Sequence, residues 1–301
     1  MIHETSGALV SEIPEWFARS VAQPRVEQCI SVNGARIALR WWGRIGAPGL
    51  VLVHGGGAHG HWWDHVAPML GDYRTVTIDL SGHGNSGRRA RYSVESWTAE
   101  LLSTCALPNL GPRPVVIAHS MGGWVSLNAG AEAGDRLGGV IVIDSPIRER
   151  SPEEIEASRQ KAFGPLRVYP DLDTALGHFR TVPDQPHSLP YVVDHIARHS
   201  VIRTAEGWQW RFDPRIFGNA RPQREMLRRV GTRVALLRAE YGLLTRTISD
   251  DMSELLGRRA PVVEIPEAGH HPMLDQPLSL ITGLRALLAD WGHSDARSAI
   301  S

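Results

Sequence analysis

The sequence of 301 residues has few cysteines, no net charge and no long apolar run, and each shortage excludes a class of protein. Its two cysteines, Cys29 and Cys105, stand in no metal-binding or redox spacing, so we expect reduced thiols in a cytoplasmic protein. Lys plus Arg and Asp plus Glu number 32 each, which argues against a nucleic-acid or anionic-membrane partner. No stretch of 18 apolar residues occurs, and residues 1–16 lack the pattern of a signal peptide. We therefore expect no membrane partner.

Short apolar segments rich in β-branched residues recur along the chain and alternate with segments of helical periodicity. These segments are continuously apolar, which is typical of parallel strands covered on both faces. Strands that alternate with helices imply βαβ units, and hence an α/β fold with a doubly wound sheet. The predicted strands are 50–54, 75–79, 115–119, 140–144, 234–238 and 262–265.

A hairpin is predicted ahead of these strands, over residues 27–43. Asn33-Gly34 is a strong turn dipeptide, and an alternating run lies on each side of it. Apolar side chains at helical spacing predict helices between the strands. The predicted helices lie over roughly 61–71, directly after Ser120 and near 247–257.

The alternation of strands and helices stops between residues 146 and 225. This stretch holds many prolines, charges of both signs and helical fragments such as 191–203, and it has no strong strand pattern. A segment of this length outside a sheet is either a lid or a linker, and its Trp, Tyr and Leu content favours a packed lid. We therefore predict a core of residues 1–145 and 226–301, with a helical lid of residues 146–225.

A serine stands between an apolar strand and a pair of glycines in the stretch AHSMGG, residues 118–123. The elbow pattern G-x-S-x-G holds a serine on a sharp strand-to-helix turn, with its hydroxyl above the sheet. Ala118 replaces the first glycine of that pattern and Gly122 matches the second, so both positions stay small. The pattern predicts a nucleophile at Ser120. The alternative is an ordinary helix N-cap.

The glycine-rich stretch LVHGGGAHGHWW, residues 52–63, follows the predicted strand 50–54. A loop of this kind exposes backbone N–H groups that can stabilise a developing oxyanion. We predict that the N–H of Gly56, or alternatively of Gly57, acts with the N–H of Met121. A phosphate-binding loop is the other reading, but neither a following Lys-Ser/Thr nor a G-x-G-x-x-G pattern is present. We predict no cofactor and no metal.

A histidine follows the last predicted strand in the stretch IPEAGHHPMLDQP, residues 265–277. His270 comes directly after a glycine, at the strand's carboxyl end and after Ser120 in chain order, which suits a general base. The neighbouring His271 is expected to pack. His83, in the turn DLSGHGNSG, is expected to be structural rather than catalytic.

In order and spacing, these four motifs resemble those of the α/β-hydrolase superfamily, over about residues 25–292. The resemblance implies an eight-stranded, mostly parallel sheet with a helical cap inserted after the sixth strand. It also implies a Ser-His-acid triad. The inserted cap agrees with the lid predicted above from composition.

The acid of that triad departs from the usual pattern of the superfamily. The family usually takes an Asp just after the seventh strand, and the aligned position here holds Gly242. Some similar members place the acid after the sixth strand, where this chain has Asp144. Both strand ends lie at the same edge of a parallel sheet, close to the histidine loop. We predict Asp144 as the acid, with Glu240 as its rival.

A serine nucleophile with a histidine base and an oxyanion site is suited to acyl transfer. The leading hypothesis is a hydrolase, monomeric or homodimeric, that cleaves a carboxylic ester or lactone of a small molecule through an acyl-enzyme. A serine nucleophile argues against the dehalogenases and epoxide hydrolases of the superfamily, which need a carboxylate. One alternative is a C–C bond hydrolase of a diketone-type substrate. Another is a non-catalytic small-molecule receptor on the same fold.

Overall fold

The computed structural model of the protein describes residues 13–149, 151, 153–154, 166–218 and 223–298. Residues 1–12, which bear on the signal-peptide prediction, and residues 155–165 and 219–222 of the predicted lid lie outside the described residues. The described strands are β1 Val26–Val32, β2 Ala35–Trp42, β3 Gly49–Val53, β4 Arg74–Ile78, β5 Val115–His119, β6 Gly139–Ile143, β7 Val201–Thr204, β8 Gly207–Trp210, β9 Val234–Tyr241 and β10 Val262–Gly269.

Eight of these strands form one sheet in the order β1-β2-β4-β3-β5-β6-β9-β10. The β1–β2 and β2–β4 pairs are antiparallel and all the other pairs are parallel. All six predicted parallel-sheet strands are therefore confirmed. The described α-helices are α1 Glu15–Val21, α2 Val94–Cys105, α3 Met121–Ala133, α4 Leu172–Gly177, α5 Pro190–His199, α6 Arg246–Leu255, α7 Pro272–Asp275 and α8 Pro277–Ser298.

The central strands are buried on both faces, as their continuous apolar sequences predict. Val51 and Val53 of β3 pack in one apolar cluster with residues of α2 and α3. Leu50 and Leu52 of the same strand pack in a second cluster with residues of α8. Successive side chains of a strand point to opposite faces, so a covered parallel sheet needs an apolar residue at every position. No helix among the described residues is long and apolar enough to cross a membrane.

The predicted hairpin is confirmed, because β1 and β2 pair in register from Val32 with Ala35 to Val26 with Trp41. Its turn residues Asn33 and Gly34 have φ of 46° and 78°. Asn and Gly are the residues that adopt this left-handed conformation most readily, and a two-residue hairpin of this type requires it.

The continuous helix predicted over 61–71 is wrong. The chain forms two short 3-10 helices there, Gly60–Trp63 and Ala67–Leu70. Pro68 lies in the first turn of the second one. A proline lacks the N–H that a continuous helix would need at this position, but it fits well in a first turn. Val66 and Leu70 are buried all the same, which explains the helical spacing of apolar residues.

The expectation that residues 146–225 hold no strand is also wrong. Helix α5 ends at His199, and the following residues form the antiparallel pair β7–β8, with Val201 opposite Trp210. The apolar residues Val201 and Ile202 therefore belong to a strand paired with β8 and do not extend the helix. Helical spacing within 191–203 could not reveal that partner, because strand pairing depends on residues beyond this window.

The described part of this insertion lies between β6 and β9 in the chain and packs on loops that follow strands of the sheet. Leu189 N–H donates to the Leu274 carbonyl at 2.8 Å, beyond β10. Gly84 N–H, beyond β4, donates to the Arg211 carbonyl at 2.9 Å. These contacts place α5 and the β7–β8 pair over the carboxyl edge of the parallel strands, where α/β folds bind their ligands.

Candidate active site

Ser120 occupies the sharp turn between β5 and α3. Its φ of 51° and ψ of −120° are strained for a residue with a side chain, as is common at functional sites. Its side chain makes no capping hydrogen bond to α3, so the N-cap reading fails. Gly122 permits the close approach of strand and helix, because a methyl group built there would lie 2.6 Å from the His54 carbonyl oxygen. The small residue at the second position of the elbow is thus a steric requirement.

His270, directly after β10, lies within hydrogen-bonding distance of the Ser120 hydroxyl. The distance between His270 Nε2 and Ser120 Oγ is 3.0 Å. A second histidine, His119, fixes the backbone of this loop, because its Nε2–H donates to the His270 carbonyl at 2.8 Å. Sequence reasoning missed His119, although it directly precedes the serine. Burial lowers the pKa of His119 well below its ordinary value, so this donor is a neutral imidazole.

Asp144, the residue after β6, lies on the other side of the His270 ring. Its Oδ2 accepts from His270 Nδ1–H at 2.6 Å. The carboxylate also accepts backbone N–H groups from the chain at the end of β9. Those of Leu243 and Leu244 lie at 2.7 and 3.1 Å, and that of Ala239 lies at 3.3 Å. Asp144 is fully buried, and both of its carboxylate oxygens accept hydrogen bonds from N–H groups.

Glu240 is not part of this hydrogen-bonded chain. Its Oε2 accepts the backbone N–H of Glu267 at 2.9 Å. The sequence favoured Asp144 with Glu240 as the alternative, and of these two acids the structure brings Asp144 to the His270 ring.

Gly242 holds the position where the family usually has its acid. A methyl group built on Gly242 would overlap the Asp144 carboxylate. The carboxylate of Asp144 therefore fills the space that a side chain at position 242 would take. The missing acid after the seventh sheet strand and the acid after the sixth are two consequences of one packing arrangement.

The glycine-rich loop after β3 lies beside the elbow. A methyl group built on Gly56 would lie 3.6 Å from Met121 Sδ, and one built on Gly55 would lie 3.2 Å from Ser120 Cβ. Gly57 has a φ of 74°, which favours glycine. The residues that carry the predicted oxyanion donors, Gly56 and Met121, thus lie in segments that contact each other, the glycine-rich loop and the start of α3. The alternative donor, Gly57, follows Gly56 in the same loop.

A buried ion pair supports the loops around the site. The Arg40 guanidinium donates to both oxygens of Asp79 at 2.9 and 3.0 Å. The same carboxylate accepts the backbone N–H of Gly60 at 2.6 Å and that of Asn85 at 2.8 Å. Burial opposes ionisation of Asp79, but Arg40 overcomes it and holds the pKa well below its usual range. One charged pair therefore fixes both glycine-rich loops.

The histidine loop is held by a side chain from the insertion. Gln185 Oε1 accepts the His271 N–H at 2.8 Å, and its Nε2 donates to the His271 carbonyl at 3.1 Å and to Asp275 Oδ2 at 2.7 Å. His271 itself is buried against Trp62, with ring centroids 5.3 Å apart, which fits a packing role. His83 is also buried and donates from Nδ1 to the Ser81 carbonyl at 3.1 Å.

Asp275 predicts a pH dependence of stability. Burial raises the pKa of its carboxyl to about 6, although Oδ2 accepts the Gly269 N–H at 2.6 Å. The unfolded chain releases this proton near pH 4, so the folded state holds more protons between about pH 4 and 6. The unfolding free energy therefore loses this contribution as pH rises through that window. Asp275→Asn, uncharged at every pH, is expected to gain stability relative to wild type as pH rises from 4 to 7.

Urea unfolding of wild type and Asp275→Asn at pH 4 and pH 7 measures this difference. The exposed Asp72→Asn is the matched control for the loss of a carboxylate elsewhere on the protein. If the difference in unfolding free energy between wild type and Asp275→Asn is the same at pH 4 and pH 7, the pKa of the Asp275 carboxyl is not raised in the folded state.

The fold and these motifs define an α/β hydrolase, and comparison with known proteins agrees. The sequence model of the alpha/beta hydrolase family matches residues 50–281. The chain belongs to this family, and it is a hydrolase. It is 29% identical over 294 residues to Esterase Rv0045c of Mycobacterium tuberculosis, covering 93% of this chain and 95% of that protein.

Many solved structures share the fold, and two of them show how closely. E-2-(acetamidomethylene)succinate hydrolase superimposes with a TM-score of 0.77 at 17% identity, covering 88% of this chain and 100% of that one. The thioesterase domain from the curacin biosynthetic pathway gives a TM-score of 0.74 at 20% identity, covering 87% of this chain and 99% of that one.

Proposed function

We propose that this hydrolase cleaves a carboxylic ester or lactone of a small molecule through an acyl-enzyme on Ser120. The observation that carries the proposal is the unbroken hydrogen-bonded chain from Ser120 Oγ through His270 to Asp144, with links of 3.0 and 2.6 Å. A buried carboxylate on Nδ1 fixes the histidine tautomer that leaves Nε2 free to accept the serine proton. The esterase from Mycobacterium tuberculosis, similar over nearly the whole chain, supports ester rather than C–C bond cleavage.

The reaction follows from this geometry in two halves. Ser120 Oγ attacks the carbonyl carbon while its proton moves to His270 Nε2, and Asp144 stabilises the imidazolium that forms. The tetrahedral intermediate then breaks its bond to the alcohol oxygen, which takes the proton from His270. Water repeats the sequence on the acyl-enzyme, returns the proton through His270 and releases the carboxylic acid. With a lactone, the alcohol and the acid are two ends of one product.

The oxyanion of each intermediate is assigned to the backbone N–H groups of Gly56 and Met121, with Gly57 as the alternative in the loop. Gly56→Val is expected to lower kcat by about 10²–10³, the usual effect of losing one such donor. Its branched side chain would meet Phe217 and Met121, 3.4 and 3.6 Å from the first added carbon, and would displace the loop.

Steady-state kinetics on one ester checks this prediction, with thermal melting to verify folding. Gly177→Val is the control, because a methyl group built on Gly177 would contact no other atom within 4 Å. A Gly56→Val enzyme with near-normal kcat would assign the oxyanion to other donors.

Residues 146–225 are proposed to form the lid of the core made by residues 1–145 and 226–301. Phe217, at the end of the described insertion, lies over the glycine-rich loop. Methyl groups built on Gly56 and Gly57 would lie 3.4 and 3.3 Å from its ring. In this proposal Phe217 supplies an apolar wall over the glycine-rich loop, and this wall would select substrates by shape and apolar area.

Phe217→Ala is expected to lower kcat/KM for esters with a bulky apolar acyl group by about 10-fold, because aromatic burial is lost. The loss should appear mainly in KM, and acetate esters should be affected less. Kinetics on a series of p-nitrophenyl esters of increasing acyl length measures this trend. Phe179→Ala, which removes a lid ring packed against Trp210, is the control. An equal loss of kcat/KM on esters of every acyl length would contradict a role for Phe217 in contacting the acyl group.

A substrate panel tests the proposed function itself. We expect turnover of p-nitrophenyl esters or of simple lactones, together with covalent labelling by a fluorophosphonate. Cleavage of a dienoate-type diketone without ester turnover would favour the C–C bond hydrolase. Binding of esters without turnover or labelling would favour the non-catalytic receptor.

A further inference from the structure

Four side chains that the proposed reaction does not use meet where helix α5 contacts the 3-10 helix Gly60–Trp63. His61 and Asp64 come from the core loop after β3, and His195 and His199 come from α5. We call these four residues the clip cluster. Each offers one ligand atom, and these atoms all lie within 4.8 Å of one another. Three imidazoles and one carboxylate are a typical donor set for zinc.

The carboxylate of Asp64 lies at the centre of the clip cluster. Its Oδ2 is 2.7 Å from His61 Nδ1 and 3.0 Å from His195 Nε2. Asp64 is only 1% exposed, and its Oδ1 has no hydrogen-bond partner among the described residues. A buried carboxylate oxygen without a partner is costly, and a bound cation would satisfy it.

The histidines of α5 are arranged as metal ligands usually are. His195 and His199 are four residues apart, so both lie on one face of the helix. His199 donates from Nδ1 to the His195 carbonyl at 2.8 Å, which leaves its Nε2 as the nitrogen with a free lone pair. A backbone carbonyl on the second ring nitrogen is the usual way to orient a metal-bound histidine. The His199 ring also stacks on His61, with centroids 4.0 Å apart.

We infer that the clip cluster binds a divalent transition metal of the zinc class, with one donor atom from each of its four residues. In a tetrahedral site with donors about 2.1 Å from the metal, the donor atoms lie about 3.4 Å apart. Donor atoms that are now up to 4.8 Å apart must therefore approach each other by up to about 1.4 Å. Rotation of the half-buried His195 and His199 side chains provides that movement.

Binding requires a change of tautomer but no further reactant. The protons that His61 Nδ1 and His195 Nε2 now share with Asp64 move to the other nitrogen of each ring, so that both face the metal with a lone pair. The neighbouring cation Arg40 is neutralised by its two bonds to Asp79. The net charge around the bound metal would thus come from the Asp64 carboxylate, which is negative and favours a cation.

A metal in the clip cluster would tie the insertion to the loop that carries Gly56. Hydrogen bonds already join these segments, between Asp64 Oδ2 and His195 Nε2 at 3.0 Å and between His59 Nε2 and Ser200 Oγ at 2.9 Å. A four-coordinate ion spanning α5 and the core loop would add a cross-link between residues 131 positions apart in the chain. This role goes beyond the proposed ester hydrolysis, which needs no metal.

Zinc binding to the full, untagged, chelator-treated protein tests the inference. We expect one Zn²⁺ per chain by equilibrium dialysis and a higher melting temperature with Zn²⁺ than without it. His195→Asn and His199→Asn should each weaken binding more than about 100-fold, since loss of even an outer partner costs about 10–100-fold. Co²⁺ in the wild-type protein should give the intense visible absorption of a tetrahedral site, a readout that needs no variant.

Two matched histidine variants separate the clip cluster from other histidines. His178→Asn removes an insertion histidine outside the cluster, and His270→Asn removes the centre of the other close histidine group, His119, His270 and His271. Both are expected to keep the single Zn²⁺ and its thermal effect. Absence of tight binding in wild type would overturn the inference. So would an octahedral Co²⁺ spectrum, or binding lost in His270→Asn and kept in both α5 variants.

Discussion

Ser120→Ala is expected to lower kcat for ester hydrolysis by on the order of 10⁶-fold, because loss of a serine nucleophile removes the covalent route. The residual rate should come from substrate binding and the oxyanion donors alone. The fold should survive, since the hydroxyl makes no capping bond to α3 and its partner in the described residues is His270 Nε2. Melting temperature and kcat measured side by side check both halves of the prediction.

A fluorophosphonate probe makes the Ser120→Ala test independent of the substrate. Wild type should be labelled at one serine, and Ser120→Ala should not be labelled. Ser126→Ala is a suitable control, because Ser126 lies one turn into α3 and donates to the Gly122 carbonyl at 2.8 Å. Labelling that persists in Ser120→Ala would remove the basis of the proposed function.

Asp144→Asn should lower kcat by about 10²–10⁴, the range expected when a triad loses its charge. It should also lower the unfolding free energy by about 1–3 kcal/mol, because both carboxylate oxygens accept backbone N–H groups and no orientation of an amide can accept them all. Glu240→Gln, whose partner is the Glu267 N–H, is expected to stay near wild type. The reverse ranking of the two variants would make Glu240 the acid.

Gly242 allows a sharper test of the acid than removal alone. Gly242→Ala is expected to impair kcat strongly, because the added methyl group would overlap the Asp144 carboxylate and push it from the His270 ring. The double variant Asp144→Gly/Gly242→Asp moves the carboxylate to the position the family usually uses. It should be more active than Asp144→Gly alone. No recovery, with the fold intact by melting temperature, would show that the loop after β9 cannot present a carboxylate to His270.

Local sequence patterns were sufficient to predict the strands of the parallel sheet and to single out two residues of the candidate site, Ser120 and His270. Continuous apolar runs predict the parallel strands because a covered strand must be apolar at every position, wherever it lies in the chain. Ser120 and His270 could be singled out because each stands at a strand's carboxyl end with a glycine no more than two positions away. Such edge positions are defined by the strand itself, so a short stretch of sequence identifies them.

Other features depended on contacts between distant segments. The helix predicted over 61–71 fails because Pro68 interrupts it while tertiary packing still buries its apolar residues. The β7–β8 pair escaped notice because a four-residue strand is stabilised by its partner more than by its own sequence. Gln185 carries no motif, yet it holds the histidine loop from 86 residues away.

The amino-acid sequence by itself determined the order of strands and motifs, the elbow serine and the histidine that follows the last strand. Only the tertiary structure decided that Asp144 rather than Glu240 meets His270, and that His61 and Asp64 meet His195 and His199. The reason is the distance along the chain over which each kind of interaction acts. Periodicity and turn chemistry act over a few residues, whereas the space vacated at Gly242 and the approach of α5 to the loop after β3 exist only once the sheet is assembled.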